Sequence, residues 1–87
     1  MDYREELTES EFAVFSALRD WRKVRGETEG VPVYTIFTNA QLAEIVKKKV
    51  GTIAELGKVE GVGKSRIEKY GESLLAVCRD FIPPEGK

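Results

Sequence analysis

Apolar residues recur every third or fourth position along most of this chain, and the interruptions fall where helix caps and glycines stand. Val14, Phe15, Leu18 and Trp21, with Ala17 beside them, form one stripe, which predicts a helix from about Glu9 to Arg25 with one buried face. Its start is fully signalled in Leu7-Thr8-Glu9-Ser10-Glu11-Phe12: Thr8 can cap the amide of Glu11, Glu11 can reach back to Thr8, and Leu7 can pack on Phe12. Thr38 and Gln41 stand at the same spacing before Leu42, Ile45 and Val46, in a helix that Val50-Gly51 should end. Thr52 and Glu55 repeat the signal for a short third helix with Leu56. Ile67 and Tyr70 mark a fourth helix from about Lys64 to Tyr70, Gly71 is expected to break or kink it, and Leu74, Leu75, Val77 and Cys78 mark a fifth from Glu72 to Phe81. Phe15, Leu18 and Trp21 should meet Leu42, Ile45, Ile67 and Leu74 in the core.

Two stretches break the helical period. Gly26-Glu27-Thr28-Glu29-Gly30 is polar and glycine-flanked, and reads as a loop. Val31 to Phe37 alternates like a strand but begins with Pro32 and has no second strand to pair with. A lone strand leaves its backbone unsatisfied, so the segment is read as extended or 3₁₀, with Val33, Ile36 and Phe37 inward. Tyr34 then has two readings of equal weight: an exposed ring on which an unpaired base can stack, or a half-buried ring with a wet hydroxyl.

The stretch with the most chemistry is Leu56 to Gly71, where Gly61-Val62-Gly63 joins two helical segments. Glycine tolerates positive φ, Val62 can plug the angle, and a helix start can offer free amides to an anion. Gly63-Lys64-Ser65 imitates the end of a nucleotide-binding P-loop, but that pattern needs a glycine at position 58, which is Lys58, and a preceding buried strand. ATP binding by this chain is therefore rejected. The predicted architecture is all-α, a compact bundle of about five helices with a glycine hairpin between helices 3 and 4. Residues 7–82 form the domain, 1–6 a flank and 83–87 a tail or linker stub.

Composition narrows the function. With 87 residues and 41% hydrophobic side chains the chain can bury one modest core. It has no long apolar run and no signal-peptide pattern, so an intracellular location without membrane contact is expected. No histidine and a single cysteine leave no zinc set, no internal disulfide and no catalytic triad, so no metal, cofactor, small-molecule substrate or enzymatic activity is expected. Cys78, among apolar neighbours, reads as a core residue.

The net charge of −1 is unevenly spread. Residues 1–30 carry eight acidic and five basic side chains, whereas residues 47–69 carry seven basic and three acidic ones. Lys58, Lys64, Arg66 and Lys69 thus surround the hairpin with positive charge, the footprint of a nucleic-acid contact, while a pI near 5.5 points to weak binding. Arg19, Arg22, Lys23 and Arg25 cluster toward the end of the first predicted helix, where the helix dipole accounts for them without a ligand.

From Leu7 to Phe81 the chain resembles the HRDC domain, the helicase-and-RNase-D C-terminal module of RecQ-type DNA helicases, some other helicases and RNase D. The resemblance rests on the long first helix with Trp21, on V-P-V-Y-T-I-F-T-N-A-Q-L, and on T-I-A-E-L-G-K-V-E-G-V-G-K-S-R-I-E-K-Y-G before a final apolar helix. It implies a helical accessory domain that binds single-stranded DNA or DNA junctions weakly, in service of the catalytic domains of an ATP-dependent DNA helicase in the same parent chain. By position, Tyr34 matches an aromatic residue that can contact single-stranded DNA in such domains, and Lys58, Lys64, Arg66 and Lys69 match the hairpin's neighbourhood. Some members contact protein domains instead, so a regulatory protein-interaction module is the alternative.

Overall fold

Thr8 starts the long helix as its sequence requires. Its hydroxyl accepts the Glu11 amide at 3.1 Å and the Glu11 carboxylate accepts the Thr8 amide at 3.0 Å. In the computed structural model, which describes residues 3–81, a single turn α1 (Tyr3–Glu6) precedes this cap, within the stretch read as a flank. Helix α2 (Glu9–Glu29) then runs four residues beyond the predicted end at Arg25 and stops at Gly30, whose φ is 71° and whose amide bonds the Gly26 carbonyl at 2.8 Å. The expected loop at 26–30 is thus mostly helix. Gly26 is buried where the following chain crosses: a Cβ there would lie 3.0 Å from the Val31 carbonyl oxygen and 3.2 Å from Val33 Cγ1. It is glycine for that approach, not for a turn.

The unpaired apolar stretch resolves into a 3₁₀ turn (Val33–Thr35) after Pro32, with Ile36 and Phe37 fully buried and Val33 half-buried. Its backbone is satisfied locally and by a side chain: the Thr35 and Ile36 amides bond the Pro32 and Val33 carbonyls at 3.0 Å, and Arg22 Nη1 donates to the Phe37 carbonyl at 2.8 Å in the interior.

Helix α3 (Asn39–Lys47) carries the predicted capping box of Thr38 and Gln41. Its C-terminus differs from the expected Val50-Gly51 stop. Lys49 takes the left-handed conformation at φ 52°, with its amide on the Val46 carbonyl and the Val50 amide on the Ile45 carbonyl, both at 3.1 Å. This is a Schellman closure, sealed by buried Val50 and Ile45, with lysine where glycine is favoured. A Cβ at that φ costs about 1–2 kcal/mol, partly offset by the entropy that glycine restores to the unfolded chain. Lys49→Gly is therefore expected to stabilise the domain by about 0.5–1 kcal/mol in urea unfolding; an unchanged or lower midpoint would contradict it.

Helix α4 (Ile53–Leu56) follows its Thr52 cap, and α5 (Lys64–Phe81) is a single helix through Gly71. The expected break there is absent because Gly71 is buried against α4: an added Cβ would sit 2.8 Å from Ile53 Cδ1 and 3.5 Å from Leu56 Cδ2. A mid-helix glycine weakens α5 locally, by about 1 kcal/mol, and lets the short helix α4 come close. The bundle stays all-α, five helices among the described residues, with the predicted tail at 83–87 outside them.

The core joins α2, α3 and α5 through Phe15, Leu18, Leu42, Ile45 and Leu74, with Ile36, Phe37 and Leu56 closing its ends. Trp21 is only half-buried; it lies edge-on to Tyr70 at 6.0 Å and tilted to Phe37 at 6.2 Å. Cys78 is buried in the core, and burial pushes its thiol up to about 11. No described helix is long and apolar enough to cross a membrane.

Candidate nucleic-acid interface

Between α4 and α5 the chain turns on short-range bonds: the Lys58, Val59 and Val62 amides bond the Glu55, Leu56 and Val59 carbonyls at 3.0, 3.1 and 3.2 Å. Val59 and Val62 are buried and anchor the hairpin to the core. The two glycines differ. Gly61 has φ 83°, and a Cβ on it would meet Gln41 Nε2 at 2.7 Å; Gly63 has no positive φ and open space around it. The expectation that both glycines answer a backbone demand holds for Gly61 alone.

Gln41 is the joint of this corner. As the third residue of α3 its Oε1 accepts the Thr38 amide at 2.9 Å; the same oxygen faces Arg66 Nη1 at 3.4 Å, and Nε2 donates to the Glu60 carbonyl at 3.4 Å. One side chain thus caps α3, holds the hairpin and orients Arg66 on the first turn of α5. Four residues before the Thr38 cap, the 3₁₀ turn carries Tyr34, whose residue is 65% exposed. That exposure removes the half-buried reading. The ring is presented by a rigid base, because Ile36 and Phe37 behind it have no exposed surface and Arg22 holds the Phe37 carbonyl.

The cations divide into two groups. Lys58 and Lys64 are exposed and have no acidic partner among the described residues, and Arg66 is half-buried against Gln41. Lys69 is drawn elsewhere: its Nζ lies 3.2 Å from Glu29 Oε1, and the hydrogen bond to Glu29 holds the ammonium above its ordinary pKa. In the lysine run, Lys47 and Lys48 pair with Glu6 at 2.9 Å and Glu44 at 2.7 Å.

The family model of the HRDC domain matches residues 11–78. The chain belongs to the HRDC domain family. It is 39% identical over 71 residues to the ATP-dependent DNA helicase Q-like 4B of Arabidopsis thaliana, covering 79% of this chain and 6% of that protein. With the ATP-dependent DNA helicase RecQ of Haemophilus influenzae it shares 28% identity over 67 residues, 77% of this chain and 11% of the relative. The chain thus spans about a tenth or less of the length of these curated relatives. Among solved structures, D. radiodurans RecQ HRDC domain 3 superimposes with a TM-score of 0.77 at 34% identity, covering 80% of this chain and 92% of that one.

In this HRDC domain the sequence reading missed the second role of Gln41, since the capping box already accounts for a glutamine at that spacing. It also missed a clamp at the end of α2. The Glu29 carboxylate accepts the Tyr70 hydroxyl at 2.6 Å and pairs with Lys69 and with Arg25, each at 3.2 Å. Arg25 and Lys69 both stand 5.4 Å from the Tyr70 ring centre. The Tyr70 hydrogen bond, with the two cations, holds the Glu29 carboxyl below its ordinary range, and the same bond raises the Tyr70 phenol. Glu29 falls in the stretch read as a loop, and two of its partners, Lys69 and Tyr70, lie about forty residues away.

Proposed function

We propose that this HRDC domain is an auxiliary nucleic-acid-binding module that holds single-stranded DNA, or the unpaired strands of a DNA junction, weakly and inside the cell, for the catalytic domains of an ATP-dependent helicase in the same parent chain. The observation that carries this reading is a rigidly mounted, exposed Tyr34 on the chain segment that leads into the Gln41 corner, where Lys58, Lys64 and Arg66 stand without acidic partners. Stacking on such a ring is worth ~1–3 kcal/mol and accepts any base, and the cations attract phosphate without regard to sequence. Lys69, whose charge is shared with Glu29, contributes less to that attraction. Few cations and an overall acidic chain fit affinities of about 10⁻⁴–10⁻⁶ M, the range of non-specific binding.

Titration of a labelled oligo(dT) at two salt concentrations tests the proposal. Tyr34→Ala is expected to weaken binding about 5- to 150-fold with its salt dependence unchanged. Lys64→Ala is expected to weaken it and to flatten the slope of log K against log salt by about 0.7. No binding at low salt would turn the assignment to the protein-interaction role.

A further inference from the structure

Helix α2 carries Arg19, Arg22 and Lys23 at positions i, i+3 and i+4, which share one face. The helix dipole accounts for cations only within the last turn, and α2 continues to Glu29, so these three lie well inside it and no basic residue occupies its last turn. They line an open recess of about 450 Å³ with Ser16, Asp20 and Val33, between α2 and the 3₁₀ turn. Asp20 is the one acid in that lining, and Arg19, Asp20 and Lys23 make no ion pair among the described residues. Arg22 is 7% exposed, with Nη1 on the Phe37 carbonyl and a buried Nε that has no hydrogen-bond acceptor. With one arm on a carbonyl and no ion pair among the described residues, this guanidinium keeps a positive charge that a ligand in the recess can offset. Burial and the like charge of Arg19 both lower the Arg22 pKa, so the fold itself leaves this positive charge uncompensated.

We propose that this recess is a phosphate-binding pocket that seats a backbone phosphodiester of the strand whose base stacks on Tyr34. The proposal rests on the single-stranded DNA reading and extends it. Val33, on the wall of the recess, is the chain neighbour of Tyr34, so a phosphate held by Arg19, Arg22 and Lys23 lies beside the stacking ring. The strand then crosses from the hairpin cations over Tyr34 to the face of α2, a region whose overall charge is acidic. Guanidinium is suited to the task because its planar fork matches two phosphate oxygens.

The test combines oligo(dT) of about 15 nucleotides, long enough for an extended track, with NMR of the Arg22 Nε–H resonance. Arg19 and Lys23 are exposed, so Arg19→Ala/Lys23→Ala removes charge without opening the core. The double variant is expected to bind about ten-fold more weakly at low salt and to flatten the salt slope by about 1.4, two phosphate contacts' worth. The Arg22 resonance is expected to move on adding oligo(dT) to the wild type. Unchanged affinity and slope in the double variant, while Lys64→Ala still weakens binding, would overturn the pocket and leave the proposed function standing. If oligo(dT) does not bind the wild type at all, both fall. An Arg22 resonance that moves with inorganic phosphate and not with oligo(dT) would reassign the recess to free phosphate and overturn the strand assignment.

Discussion

Phe37→Ala is expected to lower the unfolding free energy by about 3–5 kcal/mol. Phe37 has no exposed surface and sits between the half-buried Trp21 ring at 6.2 Å and the Tyr70 ring at 6.2 Å, so its removal opens a cavity where α2, α5 and the 3₁₀ turn meet. The surrounding groups have little freedom to collapse into it. Arg22 pins the Phe37 carbonyl, and Tyr70 is held through its hydroxyl by Glu29. A domain of this size has about 4–13 kcal/mol in total, so the variant should be partly unfolded near physiological temperature. The sequence alone would assign that role to Trp21. Because Trp21 is only half-buried, Trp21→Ala should cost less than Phe37→Ala. Urea unfolding at constant m value measures both, and a Phe37→Ala loss below about 1 kcal/mol would refute the core described above.

Gly61→Ser is expected to cost about 2–3 kcal/mol, and Gly63→Ser to stay within about 0.5 kcal/mol of wild type. The substitution is the same and the sites are two residues apart. At Gly61 a Cβ must accept a φ of 83°, which costs about 1–2 kcal/mol, and must displace Gln41 Nε2 from 2.7 Å. Moving Gln41 frees the Glu60 carbonyl and loosens Arg66, so the loss should appear in the proposed DNA contact around Arg66 as well as in stability. At Gly63 the added atoms enter open space, and serine suits a residue whose carbonyl accepts the Ile67 amide at the start of α5. Equal losses at the two positions would show that the hairpin does not depend on Gly61 and Gln41 in this way.

Glycine and lysine mark the limit of what pattern alone conveys here. From the sequence, Gly26 and Gly71 look like stops, because a glycine at the edge of a helical period usually is one. Both instead lie inside helices, at points where the Val31 carbonyl and Val33 side chain (Gly26) and the Ile53 side chain (Gly71) come closer than ordinary van der Waals contact to where a Cβ would be. Gly51, read as the end of α3, instead gives its amide to the Glu55 carboxylate at 2.8 Å, and Lys49 takes the left-handed turn. The lysines and arginines were legible as a charge bias. Which of them are uncompensated depends on acids distant in the chain, as Glu29 shows for Lys69 and Glu6 for Lys47.

By itself the sequence determined whatever is settled within about one helical turn. The caps at Thr8, Thr38 and Thr52 each join residues three apart, so their side-chain bonds to the backbone could be read from spacing, and all three form. The apolar stripes set the all-α class for the same reason, since a face is a local property of a helix. The HRDC resemblance added the expected surface, with Tyr34 and the hairpin cations. Only the tertiary structure decided where the helices end, which glycine bears a strained φ and which ring anchors the core. It also placed Arg22 inside the protein, where its contact with Phe37 spans fifteen residues, and closed the Glu29–Tyr70 bond across forty-one. The physical reason is that burial, close approach and charge compensation depend on what packs opposite a residue, and that partner is chosen by the fold as a whole.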